Sequence, residues 1–418
     1  MTKEINGALC RVINETRFKT AVMSLTLTCP LSGDDAAANA LLPNLLVRAC
    51  AKYPDFTALR KKLAMLYGAS LSADVLSLGD AQLLRMSIYA LDDRFTMNGE
   101  RISGECVQLL CDILTCPPLE NGLFTLSDLE AEKIQLCDLI DSQTNDKIKY
   151  AARRCIDLMC EGEPFGINPL GGKEAVEALT PEDMTNVWKR ALESYPITLT
   201  AVGSMDADGV FSAFSEAVSG IKRSPMPLPN QLVKASADSV REFTEREEVA
   251  QSKLVLGFRS PYSTLDDISI MKMTCACFGG TPYSRLFVNV REKLSLCYYC
   301  STRYYSPKGI VLVQSGLESQ NIEKARDEIF AQLDDIRAGN LTDTEIEHAR
   351  LALRNGYIAS RDSAAATESW YISQMFSGQC LSTEEACAAL DRVTKDDITK
   401  AARALSFDSA YLLTGKEN

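Results

Sequence analysis

Histidine is the residue that this chain of 418 residues has least of, with His348 as its single copy. This scarcity excludes any site within the chain that needs two histidines, including zinc sites of that composition. A catalytic Cys–His or Ser–His pair would have to use His348, and no nucleophile motif accompanies it. His348 lies on the predicted helix TEIEHARLAL, flanked by Glu347 and Arg350. We expect it to face solvent, and a stand-alone hydrolase using cysteine chemistry is the least favoured function.

Basic clusters and long apolar runs are also missing. The formal net charge is −12 and no group of Lys and Arg stands out, which argues against binding nucleic acid. No apolar run approaches the roughly 20 residues that span a bilayer, and the start, MTKEINGALCRVINETRFKT, lacks the apolar core of a signal peptide. We expect a cytoplasmic protein with no nucleic-acid or membrane partner.

The overall composition is that of a globular protein, with 46% apolar and 24% charged residues. The length suits two domains of about 200 residues each. Fifteen cysteines, an odd number scattered through apolar segments, indicate small buried side chains in a reducing compartment. The CxC and CxxC spacings of Cys275, Cys277, Cys297 and Cys300 resemble those of zinc ligands. Because Cys297 and Cys300 lie in a predicted strand at an odd separation, their side chains should point to opposite faces, which disfavours zinc.

A proline-rich stretch near residues 220–235, IKRSPMPLPNQLVKAS, disfavours helix and central strand. It predicts domains at 1–220 and 236–418 joined by a linker at 221–235. Both halves end alike, with a helix capped by Thr180 or Thr394 and acidic in its first turn, followed by an apolar strand. The matched endings imply an internal duplication.

The elements inside each half also correspond. A first strand and an apolar helix are predicted at 18–29 and 37–51, and again at 249–258 and 266–278. Strand pairs follow at 70–78 with 82–91 and at 295–305 with 309–317, and long helices at 127–160 and 342–362, the latter opened by a capping box of Thr342 and Glu345. Such grouping indicates an α+β fold in which each half packs helices on one face of a mainly antiparallel sheet.

The stretch Phe278–Tyr305, FGGTPYSRLFVNVREKLSLCYYCSTRYY, is hard to explain as packing alone. A small-residue turn leads into an amphipathic helix carrying Arg291, and an aromatic strand opens at Tyr298, seven positions later. A guanidinium and a phenol at that spacing could both be directed at one extended peptide backbone and hold it. The alternative is that Arg291 pairs with a surface glutamate and Tyr298 packs on Tyr304 or Tyr305, and the residues alone favour this alternative.

The turn CFGGTP at residues 277–282 also permits comparison with a phosphate-binding loop. It lacks the GxxxxGK[ST] lysine and a preceding buried strand. A tight connection before the helix at 284–294 is therefore the favoured interpretation.

The run GGTPYSRLFVNVREKLSLCYY, with the duplicated halves, linker and length, resembles the M16 metallopeptidases, the pitrilysin and insulinase family. The layout is similar over nearly the whole chain, and EPFGINPLGGKEAVEALTPEDM resembles the Pro-x-Gly segment of the family. The resemblance implies two homologous domains that form a clamshell. It also implies that Gly279 and Gly280 border the chamber and help shape it.

In this family the helix after the first strand carries His-x-x-Glu-His, which binds zinc and activates water. The matching positions here are Ala40, Pro43 and Asn44, and the third-ligand position falls near Leu139, beside Asp138. The three motif residues cannot do this chemistry. The resemblance therefore implies no metal or cofactor in this chain and zinc in a partner subunit.

By resemblance, Arg291 and Tyr298 are the Arg and Tyr that hold substrate carbonyls and help stabilise the oxyanion, and this favours the functional interpretation. The chain looks like the non-catalytic subunit of a heterodimeric zinc peptidase, bound to an HxxEH-containing partner and a peptide substrate. It resembles the paired cytoplasmic M16 proteins of Gram-positive bacteria, one lineage of which is labelled as associated with 5-aminopentanol modification of elongation factor P. The alternative is a catalytically dead scaffold, as in the core subunits of a respiratory complex.

Overall fold

The computed structural model describes residues 1–415, and for residues 265 and 266 it describes the backbone alone. The chain divides into two compact units. Unit 1 contains residues 1–141, 167–230 and 361–373, and unit 2 contains 142–166, 231–360 and the residues from 374 onward. The change at residue 230 falls within the stretch 221–235. Each unit therefore takes one segment from the other half of the sequence.

The sheet of unit 1 has six strands in the order β1-β2-β6-β3-β5-β4. All neighbours are antiparallel except the parallel pair β2 and β6. Its strands are β1 (Thr2–Ile5), β2 (Ala8–Asn14), β3 (Thr20–Pro30), β4 (Ser70–Leu78), β5 (Ala81–Leu91) and β6 (Ile197–Gly203).

Unit 2 is built on a five-stranded sheet in the order β7-β11-β8-β10-β9. Here only β7 and β11 are parallel among the paired strands described. Its strands are β7 (Arg241–Arg246), β8 (Ser252–Arg259), β9 (Tyr299–Tyr305), β10 (Ile310–Leu317) and β11 (Ser406–Thr414). Both sheets are thus mainly antiparallel, and the predicted α+β class is confirmed.

Helices make up much of the remaining described chain. They are α1 (Ala36–Leu46), α2 (Phe56–Met65), α3 (Ile102–Thr115), α4 (Leu126–Ser142), α5 (Lys147–Met159), α6 (Lys173–Ala178), α7 (Pro181–Ser194), α8 (Ala207–Ser219), α9 (Leu265–Cys275), α10 (Ile322–Arg337), α11 (Asp343–Ala359), α12 (Ala364–Ile372), α13 (Thr383–Asp391) and α14 (Lys395–Arg403). Two π-helices, π1 (Ala276–Gly280) and π2 (Leu286–Lys293), follow α9. None of the helices described at residues 1–415 is long and apolar enough to cross a bilayer.

Local sequence signals explain where several helices begin. Thr180 and Thr394 form capping boxes with Asp183 and Asp397, as the matched endings of the two halves predict. Thr342 forms the predicted capping box of α11 with Glu345. Each threonine oxygen accepts a hydrogen bond from a backbone N–H that has no partner within the helix.

One predicted helix is wrong in extent. Residues 127–160 form two helices, α4 and α5, and Asp146 caps the second by accepting from the N–H groups of Ile148 and Lys149. The break assigns α5 to unit 2, where Ala151, Cys155 and other side chains pack against the sheet in one apolar cluster. Gly257 permits this contact, because a Cβ there would lie 2.7 Å from the Met159 sulfur.

Candidate functional site

The helix that carries Arg291 is a π-helix rather than an ordinary α-helix. The N–H of Leu294 donates to the carbonyl oxygen of Asn289, five residues earlier, at 3.1 Å. Ser295 then adopts a left-handed backbone with φ of 52°, and the N–H of Leu296 donates to Val290 O at 3.0 Å. This compact junction joins π2 to β9. Isolated π-helical turns are rare in proteins, and those that occur often lie at functional sites.

Arg291 lies on the last turn of π2, with its side chain 39% exposed. Its guanidinium carbon lies 4.5 Å from the ring centroid of Phe287, a stacking that orients the planar group. Its Nε atom is 3.6 Å from a carboxylate oxygen of Glu292. The glutamate pairing considered as an alternative is therefore present, although it is long and leaves the guanidinium accessible to a ligand.

Tyr298 precedes β9 and is 54% exposed. Its N–H donates to Gly316 O in β10 at 2.7 Å, and its hydroxyl reaches a carboxylate oxygen of Glu318 at 3.4 Å. The other two tyrosines proposed as its packing partners bind elsewhere: the Tyr304 hydroxyl donates to Tyr262 O at 2.6 Å, and the Tyr305 ring packs edge-on against Phe165. Tyr298 thus presents its phenol to solvent.

Strand β9 lies at the edge of the unit 2 sheet and pairs with β10 alone among the described strands. Edge strands carry backbone N–H and C=O groups that can pair with an added strand. Tyr298 stands at the beginning of this strand, and Arg291 stands on the helix that leads to it. The segment therefore offers backbone and side-chain hydrogen-bonding groups together.

Gly279 and Gly280 belong to π1, which packs against β9. A Cβ at Gly279 would lie 2.8 Å from Thr302 Cγ2 and 3.0 Å from Thr302 N. A Cβ at Gly280 would lie 3.1 Å from Cys275 O. The glycines allow the close approach of π1 to the strand, and the Thr302 hydroxyl completes it by donating to Cys275 O at 2.9 Å. Their role in shaping a chamber stays a prediction.

The positions matched to the zinc motif lie on α1 and α4. Ala40 and Pro43 are buried on α1, and Asn44 is half-buried. Leu139 is exposed on α4. A methyl group, a pyrrolidine ring and an aliphatic side chain have no donor atom for zinc, and a single amide does not make a site. These residues do not fit the metal.

The polar groups buried beside Ala40 form a neutral hydrogen-bond network. The Asn39 side-chain amide donates to Gln82 Oε1 at 3.1 Å and accepts from the Tyr195 hydroxyl at 3.0 Å. Gln82 in turn donates to the carbonyl oxygens of Ala36 and Pro169. The amides and the phenol satisfy one another in this network, and the Arg190–Asp35 ion pair lies at the same end of α1.

Two acidic side chains on α4 are also paired, with an arginine of the same chain. Arg48 binds Asp128 at 2.8 Å and Glu132 at 2.6 Å. Throughout the described residues, no group of three or more His, Cys, Asp or Glu side chains is placed to hold a metal ion. His348 is exposed, as predicted, and its ring lies 4.8 Å from that of Tyr283.

Two contacts of the site were not predicted from the sequence. Phe287 supports Arg291, and Glu318 approaches Tyr298. The spacing of four residues between Phe287 and Arg291 was the available signal for the first contact, because such pairs meet on one side of a helix. Glu318 follows β10 and had no comparable signal.

Comparison with known proteins agrees with this architecture. Residues 178–353 match the peptidase M16 inactive domain. A probable inactive metalloprotease of Bacillus subtilis, YmfF, is 28% identical over 412 residues, which cover 98% of this chain and 96% of that protein.

Two solved structures extend the likeness over the full length. A conserved protein from Enterococcus faecalis V583 superimposes with a TM-score of 0.88 at 26% identity, covering 100% of this chain and 99% of that one. A peptidase M16 inactive domain from Pseudomonas fluorescens gives 0.78 at 15% identity, covering 100% and 98%, and this likeness concerns the fold alone. Residues 178–353 thus match a peptidase M16 inactive domain, and the chain as a whole is similar to a probable inactive metalloprotease.

Proposed function

We propose that this chain is the non-catalytic subunit of a heterodimeric M16 peptidase, and that it binds the backbone of an extended peptide through Arg291 and Tyr298. The observation that carries the proposal is that the zinc-motif positions are replaced whereas polar groups suited to peptide binding are accessible. The motif positions on α1 hold Ala40, Pro43 and Asn44, whereas an arginine and a tyrosine with accessible polar groups flank the start of an edge strand.

The chemistry of the two side chains suits this role. A guanidinium supplies fixed positive charge and directed N–H donors, and a phenol supplies a rigid O–H donor, so both can bind peptide carbonyl oxygens. The same donors stabilise an oxyanion when they are already in position. The unpaired side of β9 adds backbone groups for an extended strand. The hydrolytic centre would belong to the partner subunit with the HxxEH motif.

The test is an assay of peptide cleavage by the chain alone and by its complex with an HxxEH-containing M16 homologue. We expect no cleavage by the chain alone and cleavage by the complex. Arg291→Ala and Tyr298→Phe should each lower kcat/KM of the complex by about 100-fold, the usual cost of losing one oxyanion donor. Arg392→Ala and Tyr283→Phe are matched controls on an exposed arginine and an exposed tyrosine of unit 2 that lie outside β9.

Cleavage by the purified chain alone would contradict the proposal. An active complex whose kcat/KM is unchanged by both substitutions would also contradict it, and would favour the scaffold. Size-exclusion chromatography of each variant complex checks that the subunits still assemble, so that a loss of activity reports the site.

A further inference from the structure

The side chains of β9 alternate between packed and exposed positions. Thr302 and Tyr304 point to one face of the sheet, where their hydroxyls donate to backbone carbonyl oxygens at 2.9 and 2.6 Å. Ser301 and Arg303 point to the other face and are exposed. A peptide strand added to the free edge of β9 therefore places its own side chains beside Ser301 and Arg303 on that face.

The Arg303 guanidinium is held in place by an aromatic ring. Its central carbon lies 5.0 Å from the centroid of the Tyr305 ring, and that ring packs edge-on against Phe165 at 5.6 Å. Stacking of this kind orients a planar cation and leaves its N–H groups available to a ligand. The residue opposite Arg303 in β10 is Leu312, which offers no charge.

Arg303 also lacks an acidic partner. In the part of the chain that the structure describes, no carboxylate forms an ion pair with it. The two nearest acidic residues of the site lie toward the other end of the strand, where Glu292 approaches Arg291 and Glu318 approaches Tyr298. The Arg303 end of β9 thus presents a fixed positive charge that the described residues do not neutralise.

The segment around this arginine is positively charged within an acidic protein. Residues 286–305 contain three cations, Arg291, Lys293 and Arg303, and one anion, Glu292, whereas the whole chain has a net charge of −12. Complementary charge favours one class of ligand and disfavours others. An edge strand of this charge suits a peptide that carries negative charge.

We propose that Arg303 selects an acidic side chain in the bound peptide, so that the preferred substrate is an extended segment with an aspartate or a glutamate near Arg303. This inference rests on the proposed function, because it concerns the same bound peptide. A guanidinium can bind a carboxylate through two parallel hydrogen bonds, and cross-strand pairs of opposite charge are favourable whereas like charges are not.

The position of the acidic residue follows from the strand. Arg303 lies five residues beyond Tyr298, and a strand rises about 3.3 Å per residue, so the two contacts are roughly 16 Å apart. The acidic residue is therefore about five positions from the peptide carbonyl held at Tyr298. The direction in which the peptide runs along β9 determines whether it precedes or follows the cleaved bond.

The test measures cleavage of internally quenched peptides by the complex with the HxxEH-containing homologue. The peptides have no other charged residue and carry glutamate or glutamine in turn at each position on either side of the cleaved bond. We expect glutamate to raise kcat/KM by about 2- to 5-fold over glutamine at a position about five residues from the bond. The advantage should decrease as the salt concentration rises, because the pair is exposed.

Substitutions at Arg303 assign the preference. Arg303→Gln should remove the advantage of glutamate and leave cleavage of the glutamine peptide nearly unchanged. Arg303→Glu should instead favour a peptide with lysine at the same position, a reversal that a general loss of folding does not produce. Arg392→Gln is the matched control on an exposed arginine outside β9 and should keep the preference for glutamate.

Equal kcat/KM for glutamate and glutamine at every position overturns the inference and leaves the proposed function standing. A preference for glutamate that persists in Arg303→Gln also overturns the inference alone. A complex that cleaves none of the peptides overturns the proposed function together with it.

Discussion

Glu368 on α12 places a carboxylate in the interior of unit 1. The side chain is 0% exposed, accepts a hydrogen bond from the Ser24 hydroxyl, and lies 3.5 Å from Arg85 Nη1. Arg85 also binds Asp74, at 3.1 Å. Burial is the largest influence and raises the pKa of Glu368, against the opposing effects of Ser24 and Arg85. The protonated carboxyl is therefore favoured in the folded chain relative to the unfolded one.

Stability should depend on pH through this residue. The folded state binds the proton more tightly, so the free energy of unfolding falls as the pH rises from the ordinary glutamate pKa of about 4.3 to the raised value. Glu368→Gln removes the titration and leaves an amide that can accept from Ser24. Urea unfolding at several pH values should show wild type losing stability relative to Glu368→Gln across that window. The exposed Glu323→Gln is the control, and a difference independent of pH would contradict the prediction.

The sequence allowed prediction of residues whose exposure follows from near neighbours, but it did not allow prediction of the buried Glu368 carboxylate. Arg291, Tyr298 and His348 lie in elements that local patterns indicate, and their exposure agrees with those patterns. Ser24 and Glu368 are 344 positions apart. No periodicity or spacing reaches across that separation, because the contact exists only after the chain has folded.

At the scale of elements, strands were easier to predict than the ends and types of helices. Strand β4 has the predicted bounds, 70–78, because alternating side chains and turn residues mark it at both ends. Of the two π-helices, π2 was taken for ordinary helix, because its apolar residues have spacings that suit either form, and most of π1 was taken for the turn at 277–282. The break between α4 and α5 was missed although Asp146, a good capping residue, was present.

Gly279→Ala should weaken the contact between π1 and β9. The new methyl carbon would lie within 2.9 Å of Leu286 Cδ1 and 2.8 Å of Thr302 Cγ2, so the two elements must move apart. We expect a loss of about 1–3 kcal/mol in the free energy of unfolding, the usual cost of overpacking, measured by chemical denaturation.

Gly356→Ala in α11 is the matched control for that substitution. Its Cβ would have nothing within 4 Å, and alanine favours a helix interior over glycine by roughly 0.5–1 kcal/mol. The two changes should therefore have opposite signs. Equal effects at Gly279 and Gly356 would show that π1 can shift to accept the methyl group without lowering the free energy of unfolding.

At the scale of the whole molecule, a buried ion cluster secures a segment that unit 2 takes from the first half of the sequence. Arg259 of β8 donates to Glu163 Oε1 and to Met159 O, both at 2.8 Å, and also binds Asp408 of β11. The buried Lys308 approaches Glu163 at 3.5 Å. Opposite charges and hydrogen bonds compensate one another where water does not reach.

Arg259→Met should lower the free energy of unfolding by about 1.5–3 kcal/mol, because Glu163 and Asp408 lose their hydrogen bonds to the guanidinium. Lys308 and Arg241 remain within 4 Å of the two carboxylates. Hydrogen exchange in α5, residues 147–159, should rise more than in α3. Arg354→Met is the control, since Arg354 pairs with Asp391 at the surface and such pairs contribute about 0–1 kcal/mol. A loss at Arg259 no larger than at Arg354 would contradict the prediction.

The segments exchanged between the halves also set an order of events during synthesis on the ribosome. Unit 1 contains residues 361–373, so its sheet cannot gain α12 until most of the chain has been translated. The apolar side chains of α5, made much earlier, meet Val255, Leu312 and Tyr411 only after those strands emerge. The nascent protein must therefore keep one apolar surface from aggregating until α12 is made and another until β11 is made.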